Sequence, residues 1–326
     1  MPHHATTSPV PPPATSTRAS PRRNPGPSWG YLFLRATDIL LPEFINKPLR
    51  ALGTFIAMLF MPAQRRHSRA YLSLVLPRPP TWRDTFRHFF AFEETLMIKL
   101  RLLNGKPHRT IYAPDSPTDL QRWLENGGGA LIGSFHIGVS DMQGFQLGAY
   151  NDKHRIHVLR ERVGNAHDTD KLAQKFGAHL RFIWVNTPDP GEMVIALKDA
   201  AADPAASIIL KCDRIEHRAR TAPFEFLGAR RHFPITIYLL AAIFKRPVIL
   251  SIGIPSATDP QLATLYSSPR LDISPDETRA SILARGRNHF QDFLRVVETQ
   301  LRANPYQWFN FLPMNPPAAE EIPNPK

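Results

Sequence analysis

His136 and Asp141 are the two residues whose types and spacing come closest to a piece of chemistry. They lie in Gly133-Ser134-Phe135-His136-Ile137-Gly138-Val139-Ser140-Asp141, immediately after the apolar run Ala130-Leu131-Ile132. The run reads as a buried strand and the residues after it as the start of a helix. On one regular helix, five residues would separate the two side chains by about 140°. With His136 in the turn and Asp141 in the first helical turn, Asp141 can lean back toward the N-terminus. It would then accept the imidazole Nδ1–H and leave Nε2 to take a proton, the arrangement of a general base with an orienting acid. Helix-start amides nearby disfavour an imidazolium, and Asp141 offsets this once the proton arrives. The bare H-x-x-x-x-D spacing is also produced by histidines with purely structural roles.

Other landmarks stand in order along the chain. Cys212-Asp213-Arg214 follows the apolar run Ile208-Ile209-Leu210. Phe224-Glu225-Phe226-Leu227-Gly228 comes next, then Phe233-Pro234, read as opening an apolar helix. Pro305-Tyr306-Gln307-Trp308-Phe309-Asn310-Phe311 stands near the end, and Pro79-Pro80-Thr81-Trp82-Arg83-Asp84-Thr85-Phe86-Arg87-His88-Phe89 near the start. In this order they resemble the lysophospholipid acyltransferase superfamily, in its lipid A biosynthesis acyltransferase branch. Within that branch they are most similar to predicted acyltransferases of aryl-polyene-type lipid pathways. The resemblance runs over roughly residues 29 to 311. Two departures are Cys212, where a small or acidic residue would be less surprising, and Phe233-Pro234-Ile235-Thr236 in place of a more glycine-containing helix start.

The resemblance implies transfer of an acyl group from a carrier thioester, on acyl carrier protein or coenzyme A, to a hydroxyl or amine of a lipid or glycolipid. No cofactor is called for. It also implies a place on the cytoplasmic face of a bacterial inner membrane, peripheral or monotopic. In such a reaction a neutral imidazole suffices as base, without a covalent intermediate. His136 takes that role and Asp141 orients it. The oxyanion at the thioester carbonyl needs donors. Candidates are the backbone amides opening the helix after His136, and Arg214, which serves equally as a ligand for substrate phosphate. Asp213 is read as holding Arg214; the bland alternative is a strand-end ion pair. Arg218 and Arg220, with Arg230 and Arg231, either line an anionic headgroup site or are merely solvated. Phe224, Phe226 and Phe233 read as core more than as acyl-chain lining. A catalytically silent component that binds lipid or acyl carrier protein in a biosynthetic complex is the competing class, and a hydrolase that hands the acyl group to water is a third.

Several other readings fall away. Ser134 and Ser140 flank the histidine without the G-x-S-x-G of a nucleophile elbow. Gly127-Gly128-Gly129 lacks the Lys and Ser/Thr of a phosphate loop and reads as a turn. His154 and His157 have no clustered acid or cysteine, so no metal is expected. Cys212 is the only cysteine, which rules out an intramolecular disulfide and a cysteine metal site.

The elements that must position these residues alternate. Strands are expected at Arg109 to Tyr112, Ala130 to Phe135, Arg155 to Leu159, Leu180 to Val185, Ser207 to Lys211 and Val248 to Ile254. Helices are expected at Pro117 to Glu125, Val139 to Tyr150, Ala166 to Phe176, Gly191 to Ala202, Phe233 to Phe244 and about Asp276 to Arg302. This pattern predicts an α/β fold, a mainly parallel sheet flanked by helices, as in the acyltransferase fold, with ligands beyond the carboxyl ends of the strands. His136 and Asp213 both follow predicted strands at that end.

With 326 residues and 43% hydrophobic content, the chain can bury one substantial core, and no internal linker divides it. It divides instead into a Pro-rich arm (1–28, with no signal-peptide h-region), a helical membrane-interface region (29–105), the α/β core (106–312) and a Pro-rich tail (313–326). The net charge of +12 is uneven: residues 1 to 28 carry +3, residues 29 to 110 carry +8 and the remainder +1. In residues 29–110 the arginines interrupt apolar runs. Ala51 to Met61 is eleven residues long, too short to span a bilayer, and is followed by Arg65, Arg66 and Arg69. Such a segment suits an interfacial or re-entrant position on an anionic membrane surface; the alternative is an ordinary packed helix with solvated arginines. Nucleic acid is not an expected partner, because no helix-turn-helix, zinc or RNA motif accompanies the basic charge. A basic docking face for acyl carrier protein fits better.

Overall fold

The central strands form where apolar residues run without interruption. Ala206–Lys211, Leu131–Gly138 and Val248–Pro255 are almost wholly buried, as strands covered on both faces must be. The computed structural model describes residues 28–140, 153–161, 180–185, 187, 189–215 and 219–315, with residues 28–33 and 103 by backbone only. Its strands are β1 (Arg109–Tyr112), β2 (Leu131–Gly138), β3 (Arg155–Arg160), β4 (Leu180–Trp184), β5 (Ala206–Lys211), β6 (Thr221–Phe226), β7 (Ala229–Pro234), β8 (Val248–Pro255) and β9 (Leu262–Ser267). Its helices are α1 (Ser28–Leu40), α2 (Glu43–Leu59), α3 (Pro62–Val75), α4 (Trp82–Leu103), α5 (Asp119–Asn126), α6 (Pro190–Ala202), α7 (Thr236–Phe244) and α8 (Arg279–Ala303).

Seven strands make one sheet in the order β1-β9-β8-β2-β5-β3-β4. Every neighbouring pair is parallel except β8 and β9. The fold is thus α/β, with a mostly parallel mixed sheet flanked by helices. On one face a large core joins Leu131, Phe135 and Ile137 of β2 to α3, α6, α7, α8 and the β6–β7 hairpin. On the other, Ala130 and Ile132 pack with Leu120, Trp123 and Leu124 of α5. Phe224, Phe226 and Phe233 belong to the first core, where Phe224 meets Phe290 at 4.8 Å and Phe226 meets Trp308 at 5.6 Å between ring centroids.

Three local expectations change. β2 does not stop at Phe135. It continues to Gly138 because Ile137 bridges Trp308 and the Gly138 N–H donates to the Gln307 carbonyl (2.8 Å). Residues 229–234 are a strand, and the helix expected from Phe233 begins at Thr236. Its partner β6 and the antiparallel β9 were not expected at all. The hairpin turns on Leu227 (φ 49°) and Gly228 (φ 74°), without the Asn-Gly or Asp-Gly that marks such turns. α8 supplies the fixing contacts: Glu298 accepts from the Leu227 N–H, and Gln291 exchanges two bonds with the Glu225 backbone. The helices expected over 139–150 and 166–176 lie outside the described residues, apart from Val139, which is in a turn, and Ser140, which has 3-10 helical geometry.

Candidate active site

Parallel pairing brings His136 and Asp213 together. In the β2–β5 register Ser134 stands opposite Lys211, and the Cys212 N–H donates to the Ser134 carbonyl (2.8 Å). Two residues further along each strand, His136 and Asp213 emerge side by side. Phe135 and Ile137 both enter the large core, so alternation turns the intervening His136 away from it. His136 is the one residue of β2 that is not fully buried, and its side chain is 25% exposed.

The imidazole Nδ1–H donates to Oδ1 of Asp213 at 2.8 Å, and the His136 backbone N–H donates to Oδ2 at 2.9 Å. Trp308 Nε1–H donates to the same Oδ2 at 2.8 Å. Asp213 is completely buried. Burial pushes its carboxyl upward, but the charges and hydrogen bonds of His136, with Arg214 and Lys211 nearby, outweigh this and hold it well below the usual carboxylate range. Burial likewise depresses the His136 pKa; Asp213 opposes that shift and the positive charges of Arg214 and Lys211 reinforce it. The result is a neutral imidazole with a fixed tautomer. Its Nε2 has no partner among the described residues.

A C-terminal strap frames the pair. The Phe309 N–H donates to the His136 carbonyl (2.8 Å), and Arg214 Nη2 donates to the Phe309 carbonyl (2.8 Å). Asn315 Nδ2 reaches the Asp213 carbonyl at 3.3 Å, and Lys211 Nζ reaches the Phe135 carbonyl at 2.7 Å. Behind the strap, buried His88 of α4 donates through Nε2 to the Trp308 carbonyl (2.8 Å) and pairs through Nδ1 with the Ser68 hydroxyl (2.8 Å). The N-terminal helices are thereby tied to the carboxylate that holds His136.

The Nδ1 contact expected of Asp141 is made by Asp213, and Asp141 itself lies outside the described residues. Asp213, expected to hold Arg214, instead holds the histidine; its carboxylate is filled by His136 and Trp308. The signal for this was present, since 136 and 213 stand at equal offsets in two adjacent parallel strands. Choosing those strands as neighbours needs the sheet order. Trp308 belonged to a recognised motif but nothing in it gave a role. Arg214 lies beside the pair, while Arg218 is outside the described residues. Arg220 is exposed at the entrance to β6, and Arg231 is buried and donates to the Asn315 carbonyl (3.1 Å). The Gly138 and Val139 amides, candidates for the oxyanion, are bonded to the Gln307 and Gly253 carbonyls. Ser140 is bonded to the Ile137 carbonyl and Gly253 N–H, which leaves it no part as a nucleophile. His154 is buried against Trp123 and bonded to the Leu124 carbonyl. Among the described residues no cluster of His, Cys, Asp and Glu fits a metal.

The pair can act as a general base: Asp213 fixes the ring through Nδ1 and stabilises the imidazolium that forms when Nε2 takes up a proton. Compared with protein-family models and with curated proteins, the chain gives no match in either.

Proposed function

We propose that this protein is an acyltransferase of lipid biosynthesis, moving an acyl group from an acyl carrier protein or coenzyme A thioester to a hydroxyl or amine of a lipid or glycolipid. The observation that carries the reading is the polarised, partly exposed His136 on a buried Asp213, at the carboxyl ends of parallel strands where such folds bind ligands. The sequence resemblance supplies the reaction class. As the acceptor oxygen or nitrogen attacks the thioester carbonyl, its proton passes to Nε2. Collapse of the tetrahedral intermediate breaks the carbon–sulfur bond, and the imidazolium returns the proton to the departing thiolate. Asp213 stays ionised throughout. Arg214 adds positive charge beside the pair.

We also place the protein at an anionic membrane surface, where a lipid acceptor is within reach. The basic N-terminal third and its exposed apolar residues support this. Among the described residues no single helix is long and apolar enough to cross a membrane; α2 and α3 together pass on length and composition but are bent by 101°.

The test is thioester turnover, with and without acceptor lipids, by the wild type and His136→Ala, alongside mass spectrometry of lipids from cells with and without the gene. Loss of a positioned base costs about 10²- to 10⁴-fold in rate. Turnover by the variant at the wild-type rate would place the chemistry elsewhere. If neither protein turns over any thioester while both bind carrier protein or lipid, the silent binding partner is the better reading.

A further inference from the structure

Helix α2 is amphipathic the wrong way round for a helix on a water-facing surface. Phe44, Ile45, Leu52, Phe55, Ile56 and Leu59 are exposed, by 44 to 77%. At about 100° per residue they fall within an arc of about 120°. The buried side carries polar groups. Asn46 is wholly buried with no partner for its amide among the described residues, and Arg50, 3% exposed, grips Glu93 of α4 through Nη1 at 2.9 Å. A buried ion pair and an exposed row of six large apolar residues call for a cover other than water.

The end of that row meets a basic cleft. After α2, Phe60 stands at the bend, 81% exposed. Arg65, in the first turn of α3, reaches back to the Met58 and Leu59 carbonyls at the C-terminus of α2 and lies 5.3 Å over the Trp82 ring. Pro62, Arg65, Arg66, Arg69, Trp82 and Thr85 enclose a cleft of about 220 Å³ with no acidic residue in its lining. Arg66 and Arg69 are exposed and have no ion-pair partner among the described residues. Arginines that lack a carboxylate, beside a half-exposed tryptophan and at the edge of an apolar face, match the chemistry of a phospholipid: phosphate for the guanidinium groups, indole at the headgroup level and acyl chains against the helix.

We propose that this cleft binds the phosphate of an anionic bilayer phospholipid, with α2 lying along the acyl-chain boundary. The inference rests on the membrane placement made above and adds the site that carries it. It is independent of His136.

The experiment uses the full chain and flotation with phosphatidylcholine vesicles, with and without phosphatidylglycerol. Wild type should favour the anionic vesicles. Arg66→Gln/Arg69→Gln should lose about 20- to 30-fold in partitioning to them, each arginine near the surface contributing about fivefold. Phe55→Ser/Phe60→Ser should weaken binding to both compositions. Arg279→Gln/Arg287→Gln, on exposed positions of α8, removes the same charge elsewhere and should leave binding near wild type. Equal loss from the two arginine pairs would reduce the site to diffuse attraction and overturn the proposal. Absence of wild-type vesicle binding would overturn it too, even if the cleft took up inorganic phosphate. His136→Ala should bind vesicles normally, so that failure of the catalytic reading and failure of this one are told apart.

Discussion

Asp213 accepts three N–H donors, two from His136 and one from Trp308, with a carboxylate that has no exposure to water. An amide in its place could accept from Nδ1 through its one oxygen. Its NH2 would then face the His136 and Trp308 N–H groups, donor against donor, at a cost of about 1–3 kcal/mol for each buried group left unmade. Asp213→Asn should therefore lose at least about 10²-fold in thioester turnover and lower the thermal midpoint; full activity in a folded Asn variant would make the pair structural. The pH profile adds a second readout. Burial, with Arg214 and Lys211, holds His136 below its ordinary value, so the base is already neutral at pH 7. Turnover should rise with pH only on the acid side of about 6.5 and be level above it. Asp213 is the group that raises the His136 pKa, so any residual activity of Asp213→Asn should show that limb at lower pH.

At the scale of elements, one junction connects the helical layer to the strap. Thr81 caps α4 in a capping box with Asp84. Asp84 is 1% exposed and also accepts from Arg78 (2.7 Å) and from the Tyr306 hydroxyl (2.8 Å). Hydrogen bonds from Arg78 dominate, outweigh burial and keep this carboxyl strongly acidic. Two residues after Tyr306 comes Trp308, which holds Asp213. Asp84→Ala removes the cap and leaves the Tyr306 hydroxyl without its carboxylate. Chemical denaturation should report a loss of about 2 kcal/mol or more. Hydrogen exchange should show the strap around Trp308 opening more readily. Unchanged protection of the strap would mean that His88 and the contacts with β2, Asp213 and Arg214 hold it without Asp84.

For the whole molecule, acid is the natural stress. His88 is completely buried between Ser68, Trp308 and Tyr71, with Phe311 stacked at 4.6 Å, and burial lowers its pKa to about 4, only partly offset by the Trp308 carbonyl. A histidine depressed in the folded state contributes stability that is fully present above its unfolded value of about 6.5 and is lost as pH falls toward the folded value. The contribution of His88 is on the order of 3 kcal/mol. The thermal midpoint should be level above about pH 6.5 and decline between about 6.5 and 4. In His88→Gln, which does not titrate, the midpoint should start lower and fall less over that interval. Parallel curves for the two proteins would assign the acid sensitivity to other groups. Asp213 joins only at lower pH, since a depressed carboxylate loses its contribution below about 3.9.

The sequence by itself determined the α/β class and the central strands, because short β-branched runs such as Ile208-Ile209-Leu210 and Val248-Ile249-Leu250, alternating with longer helical stretches, suit strands buried on both faces of a parallel sheet. It also singled out His136 as a polar group at the carboxyl edge, and a basic N-terminal third with broken apolar runs. What it did not contain was adjacency. Asp213 is 77 residues from His136, and their meeting depends on β5 lying beside β2 in the observed register. Local spacing therefore favoured Asp141. The β6–β7 hairpin was hidden because its turn is held by Glu298 and Gln291 of α8 rather than by turn residues of its own. The periodicity of α2 was legible, but which side faces water was not. Apolar residues ordinarily turn inward, whereas here the burial of Asn46 and the Arg50–Glu93 contact with α4 put the polar side inside and leave the apolar side outside. Short-range pattern sets which elements form; pairing and packing between distant segments set which side chains meet.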